Sequence, residues 1–260
     1  MLSTRVVKLG GHELERPAWL AACARALVRF DPVVVVHGGG HAVSALSRRL
    51  GLPVEKRDGL RVTTPGVADV VEMVLAGPVN RQVVTALRAA GLDAVGLSGV
   101  DGGLLTARPG AASLGHVGEI ADVRVALLES FLLAGLTPVI APVAPLARTA
   151  GAAGDAGSPL NVNADDAAGA IAGALRALEL LLVSDVPGVV VDGAVQPALD
   201  AGDVETLIEL GAAADGMAAK LRAATAALRA GARAVRVGDR RMLEDPGAGT
   251  RILAPTVQPA

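Results

Sequence analysis

Arg5-Val6-Val7-Lys8-Leu9-Gly10-Gly11 and Pro32-Val33-Val34-Val35-Val36-His37-Gly38-Gly39-Gly40 decide the fold of this chain. Each is a short aliphatic run that ends in glycines. Neither shows the apolar/polar alternation of a strand with one wet face, so both read as strands covered on both sides, as in a parallel sheet. Residues 19–29 between them have a helical pattern and supply the crossover that parallel neighbours need. The second glycine run leads directly into another helical segment, residues 41–50, stopped by Gly51.

The alternation continues outward from these two strands. Residues 67–76 and 79–90 read as helices, broken at Gly77-Pro78 and ended by Gly91. A short strand follows at 94–97, then a small hairpin region at 104–107 and 116–120. Residues 123–133 are helical, Thr137–Ala141 is a strand, and residues 148–159 form a loose Ala/Gly-rich stretch. A helix is expected at 163–175 and a strand at 178–184. Asp192-Gly193 is a hairpin signal between 189–191 and 194–196. A helix at 214–230 and a strand at 234–237 complete the series. The pattern predicts an α/β fold, a three-layer αβα sandwich around a mainly parallel sheet. Two lobes are expected to share that sheet, residues 1–174 and 175–260, with the junction near Leu175.

Composition sets the bounds. The chain has 260 residues, 52% hydrophobic and 19% charged, which excludes a disordered chain. With no Tyr, two Phe and one Trp, the core must be aliphatic. The Ala/Gly/Val/Arg richness spreads over the whole sequence and reads as base-composition bias. A net charge of −2 gives no reason to expect nucleic acid. The single cysteine, Cys23, excludes an intrachain disulfide and reads as a buried small hydrophobe. Met1–Thr4 leads into the first strand without a basic, apolar leader, and no apolar run is long enough to span a bilayer. A cytoplasmic protein without a membrane partner is therefore expected.

In open α/β sheets ligands bind beyond the carboxyl ends of the strands. Two strands here end in Lys8-Leu9-Gly10-Gly11 and His37-Gly38-Gly39-Gly40. Glycine lets backbone N–H groups approach an anion, and the helix after Gly40 adds positive potential. Neither loop is a Walker A or dinucleotide fingerprint, and a tight turn is the bland alternative. A lysine at the end of an apolar strand is costly to bury without an anion nearby. Asn161-Val162-Asn163-Ala164-Asp165-Asp166 holds more polar groups than a helix cap requires. Ser184-Asp185-Val186-Pro187-Gly188 follows another apolar strand and reads as a nucleotide edge or a plain turn. Lys220 lies in a helix opened by Asp215-Gly216-Met217, where a solvated lysine is the default. Arg61, in Gly59-Leu60-Arg61-Val62-Thr63, is placed either to clamp a carboxylate or as an exposed strand arginine. His12, His37, His41 and His116 show no metal-ligand spacing, so no protein metal site is expected.

Taken in order, and joined by Gly115-His116-Val117-Gly118 and Gly249-Thr250-Arg251-Ile252-Leu253, these segments resemble the amino-acid kinase family over nearly the whole chain. Gly-Leu-Arg-Val-Thr points within it to the branch acting on N-acetyl-L-glutamate. The resemblance implies ATP with Mg²⁺ and transfer of a phosphoryl group to the side-chain carboxylate of that amino acid, a step of arginine biosynthesis. It implies that Lys8 and Lys220 stabilise charge on the moving phosphoryl group and that Asp165 holds both lysines. Gly11 and Gly39 would donate backbone N–H bonds to the phosphoryl oxygens. Gly39, Gly40, Arg61 and Asn161 would bind the amino acid, with Arg61 on its α-carboxylate. The nucleotide would lie along Ser184, Asp185, Val186, Pro187 and Gly188 and near Ala212, Ala213 and Ala214. The acceptor carboxylate is already ionised at pH 7, so no general base is needed.

Ala214 stands where many relatives carry threonine, and Pro187 enters the nucleotide turn. Both touch the nucleotide contacts rather than the chemistry. The chain lacks the N-terminal helix of arginine-inhibited hexameric relatives, which implies a homodimer without that feedback. Two rival readings stay within the fold. One is a kinase for carrier-bound α-aminoadipate, docked by Arg48, Arg49, Lys56 and Arg57. The other is a non-catalytic amino-acid sensor, which would not need the Lys8, Asp165 and Lys220 set.

Overall fold

The computed structural model describes residues 3–10, 12–57, 59–147, 159–213 and 215–254. Among them, eight strands form the main sheet: β1 (Arg5–Leu9), β2 (Val33–His37), β3 (Ala94–Ser98), β4 (Thr137–Ala141), β5 (Glu179–Val183), β6 (Ala198–Leu199), β7 (Val235–Gly238) and β8 (Thr250–Ile252). Their spatial order is β6-β8-β7-β5-β1-β2-β4-β3. Every pairing is parallel except β7 with β8. The helices are α1 (Pro17–Leu27), α2 (Gly40–Arg49), α3 (Pro65–Val74), α4 (Asn80–Ala89), α5 (Val125–Leu133), α6 (Ala164–Ala174), α7 (Ala201–Glu209) and α8 (Asp215–Arg229).

The aliphatic runs are apolar throughout because the sheet is covered twice. Val6, Val34, Val36, Ile140, Leu180, Leu182, Val235 and Val237 join the core under α5, α6 and α8. Their alternates Val7, Leu9, Val33, Val35, Val139, Leu181 and Val183 pack under α1 and α4. This is the expected three-layer sandwich. The sheet is also continuous across Leu175, since β1 pairs directly with β5 in the register Lys8↔Leu182. By strand alternation Lys8 shares its face with Val6, so its side chain emerges on the side of α6 and α8.

The two helices that cover this face approach closely. A Cβ at Gly169 would lie 3.0 Å from the Ala223 carbonyl oxygen, and one at Gly173 would lie 2.4 Å from the Ala230 Cβ. The small residues here are therefore a packing requirement, not only a bias of composition. That contact brings the N-terminus of α6, with Asp165, beside α8, with Lys220.

Some local expectations are refined. The break at Gly77-Pro78 is a kink inside one wide turn, Leu75–Val79, which joins α3 to α4; Gly77 carries it at φ −98°, ψ −112°. The hairpin region exists as Leu105–Pro109 against Val117–Val123, and it widens into a four-stranded sheet with Leu160–Val162 and Val143–Ala144. Asp192 and Gly193 both take positive φ, 51° and 79°, as the Asp-Gly turn requires. Helix α7 and the edge strands β6 and β8 were not expected. Asp200 starts α7 with a capping box to Asp203. Among the described residues no helix is long and apolar enough to cross a membrane.

Candidate active site

The parallel strands β1, β2 and β5 end together, and their loops are tied by backbone bonds. Gly10 donates to Val183 O at 3.1 Å, and Gly38 donates to Leu9 O at 2.8 Å. Beyond them lies a cleft of about 240 Å³. Lys8, Gly39, Gly40, Arg61, Asn161 and Asp165 all line it, together with Lys56 and Asn163. Residues read as separate signals in the sequence are thus neighbours in space. Gly11 and Ala214 lie outside the described residues.

Lys8 is only 5% exposed. Its Nζ sits 2.8 Å from Asp165 Oδ1, and Lys220 Nζ sits 3.5 Å from Asp165 Oδ2. One carboxylate therefore links a lysine from β1 to a lysine from α8. Asp165 takes its place because Asn163 caps α6, accepting from the N–H groups of Asp165 and Asp166. Burial alone would raise the Asp165 pKa, but the two ammonium groups and their hydrogen bonds hold it below the usual carboxylate range. The Lys220 ammonium is pushed below its ordinary value by desolvation and the Lys8 charge, against the pull of Asp165 and Asp185. Two cations held around one buried anion leave charge-stabilising capacity for a second anion.

The glycines have steric reasons. A Cβ at Gly10 would lie 2.2 Å from Lys8 Nζ, so the lysine amine folds over this residue. Gly39 has φ +147°, and a Cβ there would lie 2.7 Å from Leu75 Cδ2. Its N–H meets no backbone acceptor among the described residues. Gly10→Ala is expected to displace the lysine amine while sparing the core. It should lower kcat about tenfold or more with a Tm near wild type; an unchanged kcat would show that the amine position does not matter.

Arg61, also on the cleft lining, projects from the hairpin Lys56–Arg57/Leu60–Arg61 and is 8% exposed. Its Nη2 donates to Gly40 O and Ser44 Oγ, both at 2.7 Å, whereas buried Nη1 has no partner. No described carboxylate pairs with it. Burial and the charge of Arg48 push its pKa down. Asn161 donates from Nδ2 to Thr63 Oγ1 at 3.1 Å, which ties it to the chain two residues after Arg61.

The residues expected to hold the nucleotide do not line this cleft. Ser184 and Asp185 line a second hollow of about 220 Å³ with Asp239, Arg240 and Arg241. Ser184 donates its N–H to Gly238 O at 2.8 Å. Gly188 takes φ +157°, and a Cβ there would meet Thr250 Oγ1 at 2.7 Å; Val186 and Pro187 form the turn before it. Ala213 is buried in the core and Ala212 is exposed, and neither lines either hollow. Lys220 lines neither hollow; its ammonium lies 3.5 Å from Asp165 Oδ2 and feels the charge of Asp185 as well.

Sequence reasoning passed over several groups. Asn80 pairs with His37, and nothing in the sequence marks that contact. Ser44 repeats one helical turn after Gly40, the one local signal for its bond to Arg61. His12, Glu15 and His41 gather at the surface with ligand atoms within 4.8 Å of one another, a grouping that linear histidine spacing could not show. His41 Nδ1 lies 2.7 Å from Glu15 Oε1 there, an ordinary surface hydrogen bond.

A buried Lys–Asp–Lys cluster between glycine-lined strand ends of a doubly covered parallel sheet defines a protein that handles a phosphoryl-like anion. A model of the amino acid kinase family matches residues 3–239, and the chain belongs to that family. Within it, the chain is 49% identical over 231 residues to the acetylglutamate kinase of Chloroflexus aurantiacus, covering 87% of this chain and 88% of that one. It is 44% identical over 230 residues to the acetylglutamate kinase of Geobacillus kaustophilus, covering 87% and 86%. Among solved structures, smu.665 from Streptococcus mutans superposes with a TM-score of 0.81 at 28% identity, covering 98% of this chain and 100% of that one.

Proposed function

We propose that this chain transfers the γ-phosphoryl group of ATP to the side-chain carboxylate of N-acetyl-L-glutamate, giving N-acetyl-L-glutamyl 5-phosphate in arginine biosynthesis. The observation that carries the reading is that one cleft is lined both by Lys8 and Asp165, the latter paired to Lys220 as well, and by a buried guanidinium with no carboxylate partner among the described residues. The relatives at 44% and 49% identity supply the acceptor.

In this reading Arg61 clamps the α-carboxylate, and Gly40 and Asn161 orient the rest of the amino acid. The side-chain carboxylate oxygen attacks the γ-phosphorus as the bond to the β–γ bridging oxygen breaks, and ADP leaves with that oxygen. Charge on the moving group spreads over its equatorial oxygens. Lys8, Lys220 and the Gly39 N–H, with Gly11, meet it there. Positioning and fixed charge do the work, and no proton is moved. Mg²⁺ would enter on ATP and neutralise its phosphates. Asp165, the one carboxylate among the described residues lining the cleft, is taken by two ammonium groups.

Ser184, Asp185, Val186, Pro187 and Gly188 would hold the nucleotide, with Ala212, Ala213 and Ala214 nearby. Residues 1–174 would carry amino-acid binding and dimerisation, and 175–260 ATP binding. The homodimer and the cytoplasmic location follow from the family resemblance. Leu50 and Met73, 55% and 53% exposed, offer apolar surface for such a contact.

The test is ADP release with N-acetyl-L-glutamate against its deacetylated form. Activity with the acetylated substrate alone is expected. No ADP release with it, beside turnover of carrier-bound α-aminoadipate, would overturn the assignment. Arg61→Lys is expected to raise KM for the amino acid about tenfold and leave KM for ATP within about twofold, because one ammonium cannot both keep the bonds to Gly40 O and Ser44 Oγ and reach a carboxylate as Nη1 can. A defect on the ATP side would remove Arg61 from the carboxylate.

A further inference from the structure

His37 ends β2 and is fully buried, and Asn80 at the start of α4 is 1% exposed. Asn80 Nδ2 lies 2.9 Å from Val139 O, 3.4 Å from Leu97 O and 3.1 Å from His37 Nε2. Backbone carbonyls accept only, so this end of the amide is the N–H donor. The amide oxygen sits against Gly96, where a Cβ would lie 2.0 Å from it. Nε2 of His37 is therefore the acceptor, and the ring proton is on Nδ1. That proton is donated to Gly38 O at 2.8 Å. Burial lowers the His37 pKa to about 4, which keeps the ring neutral.

Gly38 C=O and Gly39 N–H belong to one planar trans peptide and point in opposite directions. Holding the carbonyl on the histidine aims the N–H away from it, and Gly38, Gly39 and Gly40 line the cleft. We propose that Asn80 and His37 are a positioning pair for phosphoryl transfer: Asn80 fixes the Nδ1–H tautomer, and His37 aims the Gly39 N–H through the Gly38 carbonyl. The inference rests on the reading of Gly39 as a donor to the phosphoryl group. A donor held in advance costs no reorganisation when charge develops, so its loss falls on kcat rather than on binding.

Two measurements test it. In ¹⁵N-histidine spectra at neutral pH, His37 is expected as the Nδ1–H tautomer, shifting toward Nε2–H in Asn80→Ala. In steady-state kinetics, His37→Leu is expected to lower kcat about 10- to 100-fold with each KM within about threefold. His37→Asn, whose amide can donate to Gly38 O from near the Nδ1 position, should regain most of that loss. An Nε2–H tautomer in the wild type would overturn the pair, as would His37→Leu with kcat within about threefold of wild type, or His37→Asn no better than His37→Leu. If His37→Leu does not fold, Asn80→Ala decides: a tautomer shift without loss of kcat sinks the proposal. Absence of any wild-type turnover of N-acetyl-L-glutamate would instead remove the activity reading, while the tautomer measurement still stands or falls by itself.

Discussion

Lys8→Ala is expected to lower kcat at least ~100-fold, the usual loss when a preorganised transition-state donor is removed. Lys8 sits where β1 stops, over Gly10 and against Asp165, with 5% of its surface exposed. An ammonium in that position acts with little screening by water. Its attraction grows as charge spreads over the transferring oxygens, so the loss should fall mainly on kcat. KM for the amino acid should change little, because its proposed anchor is Arg61. Lys8→Arg is the informative companion. It keeps the charge, but a planar fork cannot take the ammonium's place over Gly10, so it too should be impaired. Initial-rate measurement of ADP release decides the matter, and wild-type kcat in Lys8→Ala would remove this lysine from the cradle.

Asp165→Asn should damage both folding and turnover. The carboxylate is buried between two lysines whose side chains are 6% and 14% exposed. Removing one partner of a buried ionic cluster costs about 3–5 kcal/mol. At 2–4 °C per kcal/mol this is a Tm lower by roughly 6–20 °C at pH 7. The two ammonium groups would also repel, and kcat should fall at least ~100-fold with them misplaced.

The acid limb gives a second readout. The folded pKa of Asp165 lies below its ordinary 3.8. Its contribution is complete above the unfolded value and is lost as pH falls through the lower folded value. The gap in Tm between wild type and Asp165→Asn should therefore narrow as pH drops below about 4. An equal Tm at pH 7 would show that the cluster anchors nothing.

Six of the residues singled out in the sequence, Lys8, Gly39, Gly40, Arg61, Asn161 and Asp165, line one cleft. They were legible because strand ends are where a parallel sheet binds ligands, and local chemistry marks those ends. Lys220 was less so. Only the tight packing of α6 on α8, through Gly169, Gly173, Ala223 and Ala230, brings it to Asp165. The His37–Asn80 contact bridges 43 positions and had no local signature. Two-residue strands such as β6 have too little length for any period to show.

By itself the sequence determined the three-layer sandwich, because aliphatic runs of strand length that alternate with helical patterns have one economical way to bury both faces. It also determined that the ends of β1 and β2 are built for an anion, because glycines and a lysine there have few other uses. Tertiary structure alone decided which charges share the cleft, which donors remain free, and which ring nitrogen of His37 carries the proton. Each of these depends on distances of about 3 Å between residues far apart in the chain. Periodicity and composition carry no information at that scale.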